Sequence, residues 1–478
     1  MGEALRFLGC FGRPPAGMAG VATVGLLLAL ALATAGEAAK ALPAFPGAEG
    51  WGGDTPGGRG GKVFIVTTLD PQGPGSLQEA CAAKGPRIVT FAVSGVIRGT
   101  ITIEHSNITI AGQTAPGAGI TIEGMLVSKK GISDVVIRHI RVRPRPAKET
   151  YAGAAGEAVL RRVAGLLGWG EAEIERNRGT PAEGHDAVKL DGARRLVLDH
   201  VTASWAADEV VSLCYSQYVT VQWCTIEEGT IKEGTKYNGY HNFALFSAYN
   251  DRDFISIHHN LFANNSRRNP SVRDGVADIC NNVIYNFRHG FSHDTSGGHA
   301  FNIVGCVFKR GPNSEKALPQ AIWMGSRVKP INLTKGASYY LADNRDFRDG
   351  PADLVLGRGT MSDRPFPMPA VTTQPAMEAY ELVLKRAGAF PRDAVTLRTI
   401  DEVRTGTGDW GRREPKGGLM VGLRPADPPP DADRDGMPDE WEKKHGLDPA
   451  RDDSAKVMPG GYTAVEIYLQ EAAQALIE

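Results

Sequence analysis

Two acidic stretches lie about one structural repeat apart, Glu183-Gly184-His185-Asp186 and Trp205-Ala206-Ala207-Asp208-Glu209. If the fold stacks them in successive turns, Asp186, Asp208 and Glu209 converge. Clustered carboxylates with no neighbouring thiolates suit a hard, oxygen-seeking cation such as Ca²⁺. If they do not converge, they are solvated turns with capping aspartates. A basic turn, Ser266-Arg267-Arg268-Asn269-Pro270-Ser271-Val272-Arg273, follows an apolar strand pattern. Arg268 and Arg273 flank the proline, and paired guanidinium groups grip a carboxylate well. Left unpartnered, they make a solvated basic turn. His289, His293 and His299 form a third group, but the glycines among them favour a loop over a zinc-binding helix. His258 and His259 fall within a strand pattern, where a structural role is expected.

A fourth group lies near the C-terminus. In DADRDGMPDEWE, Asp431, Asp433, Asp435 and Asp439 occupy loop positions 1, 3, 5 and 9, with Gly436 at 6 and Glu442 at 12. That is the twelve-residue EF-hand calcium pattern, with Pro438 as a departure. The loop resembles the single calcium loops of dockerin-like and thrombospondin-type-3-like repeats. It reads either as a calcium-stabilised cap or as a docking element for a partner. WEKKHGLDP and GYTAVEIYLQEAAQALIE read as helices around it, and residues 421–430, rich in proline, as a stiff linker to a 431–478 appendage.

The elements that position these groups follow from a repeat. VVIRHIRV, LVLDHVTA, VTVQWCTI, ISIHHNLF, ADICNNVIY and FNIVGCVF can be superposed, most of them 22, 24 or 36 residues apart. The overlay aligns His139, His200, Cys224, Asn260, Asn282 and Cys306. A fixed period of this size signals stacked coils that share a core. Alternation along each strand gives one buried inner face. Asn260 and Asn282 in register predict an amide ladder at a bend, with Cys224 and Cys306 as small buried residues in the same row. The fold expected is all-β, a parallel β-helix over residues 41–420 with a small helical calcium-loop appendage. An insertion at 148–183 carries Val159, Val163, Leu166 and Leu167 at helical spacing, and 377–389 reads as a helix packing back along the coil.

Composition sets the outer bounds. The 478 residues carry 53 basic and 54 acidic side chains, 42% hydrophobic and 22% charged, which excludes a disordered chain and a multi-span membrane protein. From Arg424 onward 13 acidic residues face 6 basic ones, leaving a mildly basic body. That balance suits an anionic ligand on the body and cations on the tail, and not nucleic acid. Arg6 and Arg13 precede an apolar run from Ala19 to Ala35, so residues 1–38 read as a secretory signal, an uncleaved anchor being the alternative. Without Cys10 five cysteines remain, an odd number that argues against a complete disulfide framework.

FPGAEGWGG, GGRGGKVFIVTTLD, IRHIRVRP, GHDAVKLDG, LVLDHVTASWAADE, IHHNLFANNSRRNP, CNNVIYN and PRDAVTLRTIDEVRTGTG together resemble the pectate lyase family 1 polysaccharide lyases, particularly a bacterial secreted subgroup. The resemblance spans about Ala41 to Met420. It implies a right-handed parallel β-helix and Ca²⁺-dependent β-elimination of polygalacturonate by a secreted monomer. Asp186 and Asp208 fall on calcium-binding aspartates of the family, with Glu209 as a possible compensation for Ser204, whose slot is often acidic. Arg268 falls on the catalytic base and Arg273 on its substrate-binding partner. The family's substrate-binding lysine has no evident counterpart, and Asn242 and Lys236 lie nearest it. Arginine is ordinarily protonated, with a pKa of about 12.5 or higher, so a base at Arg268 implies an alkaline optimum. Two other classes stay open: a β-helix galacturonan hydrolase, which needs paired carboxylates and a water, and a non-catalytic carbohydrate-binding β-helix.

Overall fold

Short strands of Val, Ile and Leu recur along the chain and pair only with their counterparts one coil away. The structure, a computed structural model, describes residues 42–144, 160–161, 164–165, 170–177, 186–230, 242–249, 254–273, 275–293, 300–314, 320–324, 338–347, 350–351, 355–357, 360–410 and 414–478. In each coil the chain passes through an eleven-stranded, then a ten-stranded, then a nine-stranded sheet. One coil reads Arg194–Asp199, Thr202–Ser204 and Glu209–Ser212 before Gln217–Gln222 starts the next. Among the described residues the pairings within these three sheets are parallel, except one at the C-terminal end of the ten-stranded sheet. The result is the expected right-handed parallel β-helix.

Register stacks like on like. Val135, Leu196, Val219, Ile255, Ala277, Phe301 and Tyr339 follow one another up the eleven-stranded sheet. All are buried in one continuous core, each large aliphatic among them contributing roughly 1.5–3 kcal/mol by leaving water. The predicted amide ladder is present. Asn260 Oδ1 accepts from Cys224 N at 2.8 Å, Asn282 Oδ1 from Asn260 N at 3.0 Å, and Asn344 Oδ1 from Cys306 N at 3.1 Å.

The overlay of the two histidines is corrected by one residue. His139 and His200 align with Trp223 and His259, and their rings stack at 4.7 Å (His139–His200) and 4.3 Å (Trp223–His259). These four take φ of 52–57° and form the outer row of the bend, while the Cys/Asn row beside them turns inward. A slip of one residue exchanges the two faces.

Besides the C-terminal tail, three covers lie over the coils in the unit of residues 43–478. A helix at Leu77–Ala82, capped by Ser76, buries Leu77, Ala80 and Cys81 against the first coils. Arg87, fully buried, donates to the carbonyls of Ala80, Cys81, Gly85, Ser106 and His105 there. Residues 44–61 cross the outside of the eleven-stranded sheet so closely that a Cβ on Gly58 would lie 1.8 Å from the Arg87 carbonyl oxygen. Helices Ala376–Arg386 and Ala394–Thr405 cover the ten-stranded sheet at Leu261, Val283 and Val307. The first matches the predicted helix. The second was not read, although Asp393 caps its start and Gly406, at φ 75°, ends it.

The proline-rich stretch is not a free spacer. Ser94 Oγ donates to the Arg424 carbonyl and accepts from Ala426 N at 2.9 Å. Of the insertion, helix Glu171–Asn177 is described, while Val159, Val163, Leu166 and Leu167 lie outside the described residues. No described helix is long and apolar enough to cross a membrane.

Candidate active site

The bend between the ten- and nine-stranded sheets gathers the acidic and basic residues singled out in the sequence. Asp186 precedes strand Val188–Lys189, Glu209 opens the strand above it with Asp208 just before, and Arg268 lies in the turn before Ser271–Val272, two coils further on. Because these coils are in register, residues far apart in sequence meet at one edge. Asp186, Asp208 and Glu209 each offer an oxygen within 4.8 Å of the others. Asp186 is buried, and its other contacts are Lys189 Nζ at 2.7 Å and Glu209 N at 3.2 Å. Three carboxylate oxygens in so small a space repel one another, and an oxygen-seeking divalent cation fits that donor set.

Lys189 was not foreseen. Burial works against its charge, but Asp186 and Asp191 more than offset burial and hold its pKa well above the ordinary lysine value. It neutralises one side of the acidic group from within GHDAVKLDG. Its spacing three residues from Asp186 was the available signal.

Arg268 reaches back across two coils. Its guanidinium lies 4.4 Å from the Phe243 ring centroid and 3.9 Å from that of Phe246, and it forms an ion pair with Glu209. Its backbone sits at φ 59°, with its carbonyl accepting from Leu245 N at 2.8 Å. The left-handed conformation turns the side chain out of the coil and over the sheet. Phe246 meets Tyr249 edge-on at 5.9 Å, and Arg273 lies 5.0 Å over Tyr249. Thus Glu209, Arg268, Phe246, Tyr249 and Arg273 are linked by consecutive contacts, so the acidic group and both arginines lie along one side of the coil, the candidate groove. Tyr249 stacks on Tyr215 at 5.4 Å, both rings about half exposed, with Lys130 Nζ 6.0 Å over Tyr215. These aromatics were missed, because single tyrosines in polar turns give no periodic signal.

Other expectations fare differently. Asn242 is fully buried and braces the arginine turn. Its Nδ2 donates to the Asn264 carbonyl at 3.4 Å, and its own carbonyl accepts from Ser266 N at 3.0 Å. That placement corrects the expected substrate contact. Ser204 faces away from the acidic group, accepting from Arg143 Nε at 3.0 Å. Lys236, Glu183, His185 and His299 lie outside the described residues. His289 is buried, and His258 and His259 bond each other at 2.9 Å, a structural pair as expected. His139, Asp199 and His200 also gather potential ligand atoms, but the two rings stack with an interplanar angle of 11°, so their in-plane lone pairs run side by side instead of converging.

In the tail, Asp431, Asp433 and Asp435 converge within 4.8 Å, and Glu442 is buried nearby. Asp439 Oδ1 accepts from Ala432 N at 2.8 Å and closes the loop.

No protein-family model matches the chain. Among curated proteins, probable pectate lyase C of Aspergillus fumigatus is 33% identical over 462 residues, covering 92% of this chain and 96% of that protein. Probable pectate lyase C of Aspergillus terreus is 32% identical, covering 90% and 94%. Among solved structures, Jun a 1, the major allergen from cedar pollen, superposes with a TM-score of 0.51 at 15% identity over 72% of this chain and 92% of that one, a likeness of fold. With identity of this level along nearly its whole length, the chain belongs to the pectate lyase family.

Proposed function

We propose that the protein is a secreted, calcium-dependent lyase that cleaves polygalacturonate by β-elimination to 4,5-unsaturated uronides. The observation that carries this reading is the Arg268–Glu209 ion pair, which joins the guanidinium pair to the Asp186–Asp208–Glu209 carboxylates in one groove. Ca²⁺ held by Asp186, Asp208 and Glu209 would supply positive charge at the C6 carboxylate, making the adjacent C5 proton more acidic. Arg273 adds a fixed positive contact for the same carboxylate, in place before charge develops. Tyr215 and Tyr249 offer ring faces to the sugars. Arg268 takes the C5 proton, the C–H pair becomes the C4=C5 double bond, and the C4–O bond breaks with its electrons leaving on oxygen. Arg268 cannot act as base while it serves as counter-ion to Glu209, so the reading requires that pairing to be given up. Lys236, seven residues before Phe243 in the sequence, is proposed to contact substrate.

Export through the 1–38 signal, action as a monomer outside the cell and a place in the bacterial secreted subgroup belong to the same proposal. They are supported by the basic and apolar N-terminal run and by the glycine-rich 45–61 segment.

The test is incubation with polygalacturonate, with and without chelator, following the absorbance of unsaturated product. Arg268→Ala is expected to lower kcat by about 10²–10⁴, the usual worth of a positioned acid or base. Wild-type rates in Arg268→Ala remove the assignment. Saturated reducing ends alone indicate a hydrolase, and calcium-dependent binding without product indicates a binder.

A further inference from the structure

The loop from Asp431 to Glu442 takes no part in the groove, yet it holds buried carboxylate oxygens that nothing among the described residues satisfies. Glu442 is 0% exposed, and neither of its carboxylate oxygens has a hydrogen-bond partner among the described residues. Asp433 Oδ2 is likewise buried without one. The carboxylates nearest in effect to Glu442 are Asp435, Asp433, Asp431 and Asp439, so it faces the pocket where the first three converge. Buried carboxylates without hydrogen bonds or counter-charge are among the groups a protein interior tolerates least. The loop backbone is already wound for an ion: Asp435 N and Gly436 N donate to Asp431 at 3.2 and 3.1 Å, and Gly436 turns at φ 87°.

The same loop is pressed onto the start of the β-helix. A Cβ on Gly436 would meet Val63 Cγ1 at 2.7 Å and Thr90 Oγ1 at 3.0 Å. Met437, fully buried, packs with Ile88 and Ala111 of the eleven-stranded sheet and with Val465 and Leu469 of helix Ala464–Ile477. Asp435 Oδ2 accepts from Asp453 N at 3.1 Å, tying the loop to the segment that leads into that helix. The helix in turn bonds the body: Glu466 with Arg59 at 2.8 Å, the Leu469 carbonyl with Gln113 at 3.2 Å and Gln470 with Arg138 at 3.2 Å. The apolar side of the tail is spent on the β-helix, which favours an internal role over docking to a partner.

We propose that Asp431, Asp433, Asp435 and Glu442 bind a Ca²⁺ ion distinct from that of the groove, and that this site is a clasp holding the C-terminal tail onto strands Lys62–Val66, Arg87–Phe91 and Ile108–Ala111. Four carboxylates crowded into one loop favour Ca²⁺ over Mg²⁺, which keeps most of its waters and demands a near-octahedral shell.

The experiment uses the full chain stripped with chelator. Calcium binding is followed by calorimetry, thermal unfolding is measured with Ca²⁺ or Mg²⁺, and hydrogen exchange is read at Lys62–Val66 and Arg87–Phe91. Wild type is expected to gain a higher Tm and slower exchange in those strands with Ca²⁺ and much less with Mg²⁺. Glu442→Gln should lose one calcium equivalent together with both effects. Asp433→Asn, at a less buried ligand, should do the same and serves if Glu442→Gln does not fold. Asp208→Asn should lose a different equivalent and keep the strand protection. This separates the clasp from the lyase reading: if the groove binds no calcium, Asp208→Asn loses no equivalent, while the outcomes for the two tail variants stand unchanged. Full calcium stoichiometry in both tail variants, or exchange in the two strands that ignores calcium in wild type, overturns the clasp.

Discussion

Arg268 owes its position to three modest things: a left-handed backbone, two phenyl rings beneath the guanidinium and a carboxylate two coils away. Only the last was legible as sequence, through the Asp-Glu pair and the basic turn expected to face it. Residues held by repeat spacing could be read because one coil length separates them. Residues held by surface packing could not, and Tyr215 and Tyr249 are of that kind. Asn242 misled because a polar residue beside a site looks the same in sequence whether it faces substrate or braces a turn. Tyr249 offers the sharpest test at this scale. It sits between Phe246 and Arg273 and is half exposed. Tyr249→Ala should raise KM for polygalacturonate about 2- to 10-fold, the worth of one aromatic contact of roughly 0.5–1.5 kcal/mol, with kcat little changed. Tyr249→Phe should stay near wild type. A fall in kcat at constant KM means the ring does something other than bind sugar.

Among the elements, the ten-stranded sheet and helix Ala394–Thr405 enclose a polar column that the sequence did not reveal. Arg143 and Ser204 occupy adjacent coils, and Arg143 also bonds Asp393, the helix cap, at 2.8 Å. Glu227, one coil above Ser204, accepts from Thr396 Oγ1 at 2.9 Å. Reading this column required the missed helix, whose apolar spacing is diluted by Thr, Arg and Asp. Burial, opposed by Arg143 and reinforced by Asp393, pushes Glu227 up to about 7 from the ordinary 4.5. Arg392 and Glu228 also act on this group. A carboxyl whose folded pKa is raised stabilises the fold fully below its unfolded value and loses that contribution as pH climbs through the folded one. Stability should therefore erode between about pH 4.5 and pH 7 through this group. Glu227→Gln, a neutral mimic of the protonated acid, should unfold like wild type near pH 4.5. Near pH 9 it should exceed wild type by about 1–3 kcal/mol in urea titrations. A constant difference between the two proteins at every pH would show that Glu227 does not titrate in this window.

For the whole molecule, the covers divide the labour among the three sheets. The eleven-stranded face lies under residues 44–61 and the 431–478 tail, and the ten-stranded face under two helices. The nine-stranded face keeps exposed aromatics and the charged groove. The repeat announced the coil, since each strand pattern had to find its neighbour to bury one face. It did not announce the covers, because segments that bind the outside of a solenoid follow no period of their own. Stability and chemistry should then be separable by face. Leu384, 1% exposed, packs with Leu261, Val283 and Val307 on the covered ten-stranded side. Leu384→Ala removes buried atoms and leaves a partly collapsed cavity, at a cost of about 2–5 kcal/mol. The urea midpoint should fall accordingly, while kcat and KM measured well below the transition stay at wild-type values. A matching loss in kcat would mean that the helical cover and the groove are mechanically coupled through the coil. In that case the ten-stranded sheet would transmit strain to the bend that carries Asp208 and Arg268.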